Sequence, residues 1–323
     1  MIKKLFCLVL VCICVLCAVS CTDRDVRNAN TADDDKLKII ATIFPAYDFA
    51  REITGEYAYV TMLLPPGGEV HGFEPTPTEM LEIAECDLFI YNGGESDEWV
   101  ETLLAGDEYA ELSTLRMMDC VQTLSEEPTG GTEHEHDHDH EHDHDHEADE
   151  HVWTSPKNAI LISEGICNAL CEKDAENADA YRAKFEMLRV RLSAIDAQIR
   201  SVADEAENKT LIFADRFPMR YFAEEYGFDC YAAFPGCSSH SEPSVPTLIF
   251  LIDKAKAEGV HAIFSMEFSD GRMAQTVCDE TGTKSYTLHS CHSVSADDFE
   301  NGVTYCDLMR QNADTLRRAL GAE

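Results

Sequence analysis

The sequence predicts an α/β fold of two lobes, each built on a parallel β-sheet flanked by helices, with one long rigid helix joining the lobes. Short β-rich runs alternate with amphipathic segments from Lys38 onward, and the same alternation returns after residue 209. Such alternation favours parallel sheets, which place ligand sites at the carboxyl ends of their strands. The length of 323 residues fits two medium-sized lobes, because single cores stop growing near ~250 to 300 residues.

The N-terminal lobe is predicted over residues 37–157. Its β-rich runs are KIIATIF, YVTMLLP and DLFIYNG, and the segments between them predict helices over residues 47–53 and 78–84. Strands and helices therefore follow one another in the βαβαβ order that is typical of a parallel sheet.

Residues 158–208 are predicted to be a linking helical region. Seven apolar residues recur in it at spacings of 4, 3, 4, 3, 4 and 3, namely Tyr181, Phe185, Leu188, Leu192, Ile195, Ile199 and Val202. They form an apolar stripe on one helical face, roughly 33 Å long at 1.5 Å per residue. A coiled coil is the competing interpretation, although the run covers only about three heptads.

The C-terminal lobe is predicted over residues 209–323. Its β-rich runs are TLIFADRF, CYAAF, AIFSMEF and KSYTLHS. Helices are expected between these runs, over residues 219–226, 247–257 and 272–281, and a last helix over 299–320.

The charge excludes one broad class of function. Lys and Arg number 25 against 61 Asp and Glu, which gives a net charge of -36. A chain this acidic repels nucleic acid, so no nucleic-acid partner is expected. Hydrophobic residues make up 45% of the sequence, which argues against general disorder.

Residues 1–20 have the order of an export signal: two lysines, an apolar run and then small residues. The apolar run of about 15 residues is short for a membrane span, which needs roughly 20. The sequence AVSC ending at Cys21 resembles a bacterial lipobox, so we expect cleavage before Cys21 and lipidation of that cysteine. An ordinary secretory signal is the alternative. Residues 21–36 are predicted to be a flexible, polar tether.

A histidine-rich loop over residues 133–150 carries the clearest chemical pattern in the sequence. Histidines alternate with Asp and Glu at His134, His136, His138, His140, His142, His144 and His146. Imidazole is a preferred zinc ligand, and the carboxylates raise the local cation concentration. A solvated acidic loop would not explain the histidines. We expect low-affinity metal capture here and a separate preorganised site elsewhere.

Two histidines outside this loop are candidates for that site. His71 lies in PPGGEVHGFEPTP, directly after a predicted strand, and His151 lies in DEHVWTSP. A loop after a strand presents its side chains to a cleft. Either histidine alone would more often be structural, and His261, before AIFSMEF, is interpreted as structural.

These motifs resemble the solute-binding lipoproteins of bacterial ABC importers for zinc or manganese. The resemblance covers nearly all of the mature chain and is carried by PPGGEVHGFEPTPTEM, YNGGESDEW, the histidine-rich loop, HVWTSP and SEPSVPTL. It implies metal in the cleft between the lobes, with His71 and His151 as direct ligands. It also implies an ABC permease and its ATPase as partners, and a monomer anchored outside the cytoplasmic membrane through Cys21.

The sequence departs from the family pattern at two ligand positions. The family has a third histidine after the first strand of the second lobe, where this chain has Arg216, and an always-protonated guanidinium cannot bind a metal. The family's carboxylate ligand follows the last strand, where YTLHSCHSVS places His289, with His292 close behind. The predicted ligand set is His71, His151 and His289, with His292 as a fourth. Such a nitrogen-rich set favours Zn2+ over Mn2+.

Three further residues are expected near the site. Cys237 and Cys291 both follow strands of the second lobe, and the alternatives are a disulfide between them, free thiols, or a thiolate bound to the metal. Glu242 resembles a family glutamate near the cleft, which implies that it orients a ligand by a hydrogen bond.

The leading functional hypothesis is a binding protein that captures Zn2+ and delivers it to an ABC importer. A manganese-specific binding protein is one alternative, and a lipid-anchored metal buffer or adhesin is another. An enzyme is not expected. The chain contains no GxSxG motif, and its two matches to HExxH, at residues 134–138 and 140–144, fall within the low-complexity histidine-rich loop.

Overall fold

A computed structural model describes residues 36–69, 72–126, 148–236 and 244–322. The signal peptide predicted over residues 1–20 and nearly all of the predicted tether lie outside the described residues, as do the seven histidines of the histidine-rich loop. From Leu37 to the C-terminus the chain forms one compact unit.

The first sheet contains four parallel strands among the described residues, in the order β2-β1-β3-β4. Ile39 of the central strand pairs with Val60 on one side and Leu88 on the other. The strands are β1 (Leu37–Ala41), β2 (Ala58–Met62), β3 (Leu88–Tyr91) and β4 (Thr114–Arg116). The sequence did not predict β4, because three residues are too few to show an alternating pattern.

Helices pack around this first sheet, and short 3-10 turns connect some of them. The helices are α1 (Phe44–Thr54), α2 (Pro77–Ala84) and α3 (Glu98–Leu104). The 3-10 turns are Glu95–Asp97, Asp107–Tyr109, Met117–Cys120 and Val152–Thr154. Helix α1 begins earlier than the sequence predicted, because Pro45 lies in its first turn, where the fixed φ of proline suits a helix start.

The second sheet has the order β6-β5-β7-β8, and the strand pairs recorded among the described residues are again parallel. Its strands are β5 (Thr210–Phe217), β6 (Asp229–Pro235), β7 (Ala262–Met266) and β8 (Lys284–Leu288). The helices of this half are α6 (Arg220–Tyr226), α7 (Val245–Glu258), α8 (Arg272–Thr281), α9 (Ala296–Glu300) and α10 (Tyr305–Leu320). Two earlier helices, α4 and α5, connect the two sheets.

Strand β5 contains an irregularity close to its carboxyl end. Phe213 pairs with Ala232 of β6, but the next pair along the strands joins Arg216 to Phe234, so β5 has one more residue than its partner over this interval. Such a bulge changes the direction of the side chains that follow it. It lies where the second sheet approaches the first half of the molecule.

Two helices connect the sheets, α4 (Pro156–Lys173) and α5 (Ala178–Glu205). All seven residues of the predicted apolar stripe are buried on α5, which is roughly 42 Å long at 1.5 Å per residue. Arg191 of α5 forms an ion pair with Glu52 of α1, and Gln198 donates to Asp314 of α10 at 3.0 Å. The long helix therefore contacts both halves, and its stripe is buried within this chain.

The two halves also share buried apolar packing. The same hydrophobic core contains Ile39 and Leu88 of the first sheet and Phe213 and Phe264 of the second, together with the stripe of α5. Two parallel sheets flanked by helices and joined by a long helix confirm the predicted fold class. None of the described helices is both long and apolar enough to cross a bilayer.

Candidate metal centre

A cavity of about 120 Å³ lies between the carboxyl ends of the two sheets. The loop after β2 lines one side with Gly67, Gly68 and Glu69. Segments at or after the carboxyl ends of the second sheet's strands line the other side, together with His151. These segments contribute Arg216, Gly236, Glu267, Ser290, His292 and Ser293. The cavity thus lies where parallel sheets are expected to bind ligands.

His151 lies immediately before the 3-10 turn Val152–Thr154 and is 1% exposed. Its Nδ1 lies 3.2 Å from Oδ1 of Asp149, and its backbone N–H donates to the same oxygen at 2.8 Å. A carboxylate that engages one ring nitrogen fixes the tautomer and leaves the other nitrogen for a metal. The local turn therefore prepares Nε2 of His151 as a ligand atom.

Acidic neighbours govern the charge of this imidazole. Burial alone lowers the pKa of His151, but the carboxylates of Asp149, Glu150 and Glu126 more than offset that effect, so the pKa is raised. The same negative field that favours a proton on His151 also favours a divalent cation beside it.

Gly236 allows the second lobe to approach this ring closely. A Cβ at position 236 would lie 2.8 Å from Cε1 of His151 and 3.0 Å from the carbonyl oxygen of Phe217. At 2.8 Å the ring of His151 would have to move, and at 3.0 Å the carbonyl contact would also be unusually tight. Glycine here is explained by the close approach of the end of β6 to His151.

His292 brings a second imidazole to the cavity from the loop after β8. Its ring centre lies 5.8 Å from that of His151, with the planes at 89°, and 4.8 Å from the ring of Trp153. A zinc–nitrogen bond of about 2.1 Å and a tetrahedral angle place two ligating imidazoles with centres roughly 5 Å apart. The pair of rings is therefore close to the spacing that a shared zinc ion requires.

Ser290 holds the loop that carries His292. Its backbone N–H donates to Glu267 at 2.8 Å, and its hydroxyl donates to the other oxygen of that carboxylate. Its carbonyl oxygen accepts from Trp153 Nε1 at 2.8 Å, and its hydroxyl oxygen accepts from the backbone N–H of His292 at 3.1 Å. Both lobes therefore fix the position from which His292 reaches the cavity.

Glu267 follows β7 directly and lines the cavity with its carboxylate. Burial raises the pKa of Glu267, and this effect exceeds the lowering by the hydrogen bonds from Ser290 and by the charge of His289. The carboxylate thus positions the His292 loop through its two hydrogen bonds from Ser290.

His289 lies beside a different cavity, of about 250 Å³, which shares Glu267 and Ser293 with the first. Asn312 of α10 holds the backbone of His289: its Oδ1 accepts from the His289 N–H and its Nδ2 donates to the His289 carbonyl, each at 2.8 Å. The structure brings His151 and His292 together and does not place His289 with them.

Cys291 lies between His289 and His292 in the sequence and is a free thiol with 0% exposure. Burial raises the pKa of the Cys291 thiol well above its ordinary value, which disfavours a thiolate ligand. Its proposed disulfide partner Cys237 lies outside the described residues, as do His71 and Glu242. Their roles therefore remain predictions.

Arg216 lines the cavity at the position where the resemblance calls for a histidine. Both of its terminal nitrogens lie 3.4 Å from Oε2 of Glu69, a residue of the opposite lobe. Within the described ranges, no group of three or more His, Cys, Asp or Glu side chains is arranged to hold a metal ion. His71, which the sequence analysis predicted as a ligand, lies outside those ranges.

Sequence reasoning did not assign Trp153, Ser290 or Glu267 to the site. One sequence feature could have indicated Glu267, because it is a carboxylate placed directly after a predicted strand. No sequence feature indicated Trp153 or Ser290, because they contribute a hydrogen bond between segments that are distant in sequence.

Comparisons with known proteins identify the family to which this chain is similar. The family model described as "ZnuA: Zinc-uptake complex component A periplasmic" matches residues 39–319. The chain is 31% identical over 323 residues to the high-affinity zinc uptake system protein ZnuA of Bacillus subtilis (strain 168), and covers 99% of both chains. It is 28% identical over 316 residues to the zinc-binding lipoprotein AdcA of Streptococcus pneumoniae, covering 98% of this chain but only 61% of that protein.

A solved structure extends the comparison to three dimensions. The crystal structure of the Zn(II)-bound ZnuA-like domain of Streptococcus pneumoniae AdcA matches with a TM-score of 0.72 at 25% identity. The match covers 88% of this chain and 99% of that domain. The likeness therefore extends over both sheets and the helices that join them.

Proposed function

This chain belongs to the ZnuA family of zinc-uptake components, and on that premise we propose that it captures Zn2+ between its two lobes and delivers it to an ABC importer. The observation that carries the proposal is the pair His151 and His292, whose ring centres lie 5.8 Å apart at a cavity lined by residues of both lobes. Binding and release suffice for this role, so no catalytic group is required.

The proposed ligands are His71, His151 and His292. His151 has its second nitrogen engaged by Asp149, and His292 is held through Ser290, so each imidazole is preorganised. A carboxylate oxygen of Glu267 or a water molecule completes four-coordination. His289, which the sequence analysis included beside His292, is left out of this set because it lines the neighbouring cavity.

The proposed ion is Zn2+ rather than Mn2+. Imidazole nitrogens in a four-coordinate arrangement suit zinc, whereas manganese prefers more oxygen donors and six-coordination. The guanidinium of Arg216 strengthens this argument, because it removes one donor position from the cavity wall and so lowers the coordination number available.

The proposed setting is extracytoplasmic. We propose that Cys21 carries a lipid anchor, that the chain acts as a monomer, and that an ABC permease and its ATPase receive the zinc. The histidine-rich loop would raise the local zinc concentration and pass ions to the tighter site. Supporting this order, Asp149 lies at the end of the loop and His151 follows the loop directly in sequence.

The test of this function is zinc uptake by cells that lack this chain. We expect slow growth in medium depleted of zinc by a chelator, restored by the wild-type chain and by added zinc but not by added manganese. A matched variant with Cys21→Ala separates anchoring from binding. Uptake that does not depend on the chain would contradict delivery while leaving zinc binding itself to be judged by titration.

A further inference from the structure

The loop after β2, residues 65–69, crosses from the first lobe to the second at the edge of the zinc cavity. The backbone N–H of Gly67 donates to Oγ of Ser293 at 3.0 Å. Glu69 accepts from Arg216 at 3.4 Å. These contacts attach the β2 loop to two different strand ends of the second sheet, and all four residues line the cavity.

The fold directs Arg216 toward this contact. The bulge in β5 lies between Phe213 and Arg216 and changes the direction of the strand's last side chains. Asp215, inside the bulge, fixes the strand end: its Oδ1 accepts from the Arg216 N–H at 2.8 Å and its Oδ2 accepts from the Met266 N–H at 3.0 Å. Arg216 is therefore presented from a rigid position.

The strength of the contact suits reversible closure. The Arg216 and Glu69 side chains are 37% and 58% exposed, so solvent screens the ion pair and its net contribution is small. Ser293 is buried, and its bond to Gly67 is a single neutral hydrogen bond. Both contacts can break without disturbing the shared hydrophobic core.

We propose that Arg216 and Ser293 are positioning residues that hold the β2 loop across the cavity and thereby set the rate at which zinc leaves. The proposal rests on the proposed function, since it concerns the retention of the same ion. Zinc can escape on this side only when the loop separates from the second lobe, and separation requires both contacts to break.

A rival role for Arg216 makes the opposite prediction. If its charge acted only by repelling the metal, Arg216→Met would remove that repulsion and slow zinc release. If Arg216 holds the loop, the same variant speeds release. Glu69→Gln speeds release in either case, so the sign of the Arg216→Met effect distinguishes the two.

The experiment is stopped-flow transfer of zinc from the loaded soluble protein to an excess of chelator. We expect release to be about two- to fivefold faster in Arg216→Met, Glu69→Gln and Ser293→Ala, as for the loss of a screened ion pair or of a single neutral hydrogen bond. The double variant Arg216→Met with Glu69→Gln should release no faster than Arg216→Met alone, because the two residues form one contact. Arg317→Gln, which removes an exposed ion pair with Asp314 on α10, is the matched control and should match wild type.

Three further readouts separate a positioning role from general destabilisation. Higher salt should speed release from wild type but not from Arg216→Met, and the urea midpoint should be unchanged in all variants. Without zinc, the Gly67 amide should exchange its hydrogen faster in Arg216→Met. Slower or unchanged release in Arg216→Met would overturn the proposal, whereas a wild-type protein that binds no zinc tightly would overturn the proposed function as well.

Discussion

The imidazole rings of His151 and His292 lie with their centres 5.8 Å apart and their planes nearly perpendicular, although they come from opposite lobes of the chain. His151 is oriented by Asp149 in its own turn. His292 is oriented by Ser290, which Glu267 and Trp153 fix from the two sides of the cavity. This pair of imidazoles is thus a property of the assembled lobes, and neither lobe alone provides it.

The two histidines of the last loop should differ sharply in their effect on zinc affinity. We expect His292→Ala to weaken zinc binding by more than about tenfold, or roughly 1.4 kcal/mol, because it removes a ligand. His289→Ala should change affinity by less than about threefold, as expected for a side chain beside the neighbouring cavity. Competition with a chromophoric chelator measures both, and the reverse order would assign the ligand role to His289.

Glu267 should control affinity through the loop that it holds. We expect Glu267→Gln to weaken zinc binding by about 10-fold, since loss of a supporting hydrogen-bond partner typically costs 10- to 100-fold in metal affinity. Ser290→Ala should act in the same direction and should not add fully to Glu267→Gln, because the two residues form one network. Full additivity in a double-variant titration would show that they act separately.

Gly236→Ala should damage both stability and binding. The added Cβ would meet His151 and the Phe217 carbonyl at 2.8 and 3.0 Å, so the ring or the strand end must shift. We expect a loss of about 1 to 3 kcal/mol in the free energy of unfolding by urea, together with weaker zinc binding. Gly259→Ala serves as the control for loss of glycine itself. A Cβ at position 259 would have no atom within 4 Å, although the positive φ there adds backbone strain.

Asp48 should make stability depend on pH. This carboxyl on α1 accepts from the Tyr305 N–H at the start of α10 and pairs with Arg51. Burial raises its pKa from 3.8 to about 6, despite the opposing effect of Arg51. Since the folded pKa is the higher one, the folded state binds the proton more tightly, and this contribution is complete below about pH 4 and lost as the pH rises through about 6.

We therefore expect Asp48→Asn to remove that part of the pH dependence. The difference in unfolding free energy between wild type and Asp48→Asn should fall as the pH rises from about 4 to about 6, as measured by urea titration at each pH. A difference that stays constant over this interval would show that Asp48 titrates normally.

Deleting residues 133–147 should leave the tight zinc site intact. The site described above is built from residues outside that segment, so we expect unchanged affinity at one zinc per chain and a loss of weaker, additional binding. Calorimetric titration of both forms measures the two classes separately. Loss of the tight site on deletion would place it within the histidine-rich loop.

The fold followed from local patterns, whereas the site depended on contacts that no local pattern records. The spacing of the α5 stripe predicted a buried helical face, and each of its seven residues is buried. The choice between His289 and His292 depended on the backbone between them, where Cys291 adopts a φ of 61°. No periodicity specifies such a left-handed residue, so sequence alone could not decide which imidazole faces the cavity.

The position of Arg216 is a second feature that the sequence could not predict. Its chemistry excluded it as a ligand, and the structure places it in the cavity nonetheless, where it contacts Glu69 of the opposite lobe. That contact depends on a bulge in β5, and a bulge arises from strand pairing that is visible only in the folded sheet.

The most direct test of the account is a zinc titration of the soluble protein, residues 22–323, in competition with a chelator, comparing wild type with His151→Ala. His261→Ala is the matched control, because His261 is exposed and lies outside the cavity. We expect one tight zinc site in wild type and in His261→Ala, and a loss of more than about tenfold in His151→Ala. Tight binding that persists in His151→Ala would contradict a zinc site at this cavity.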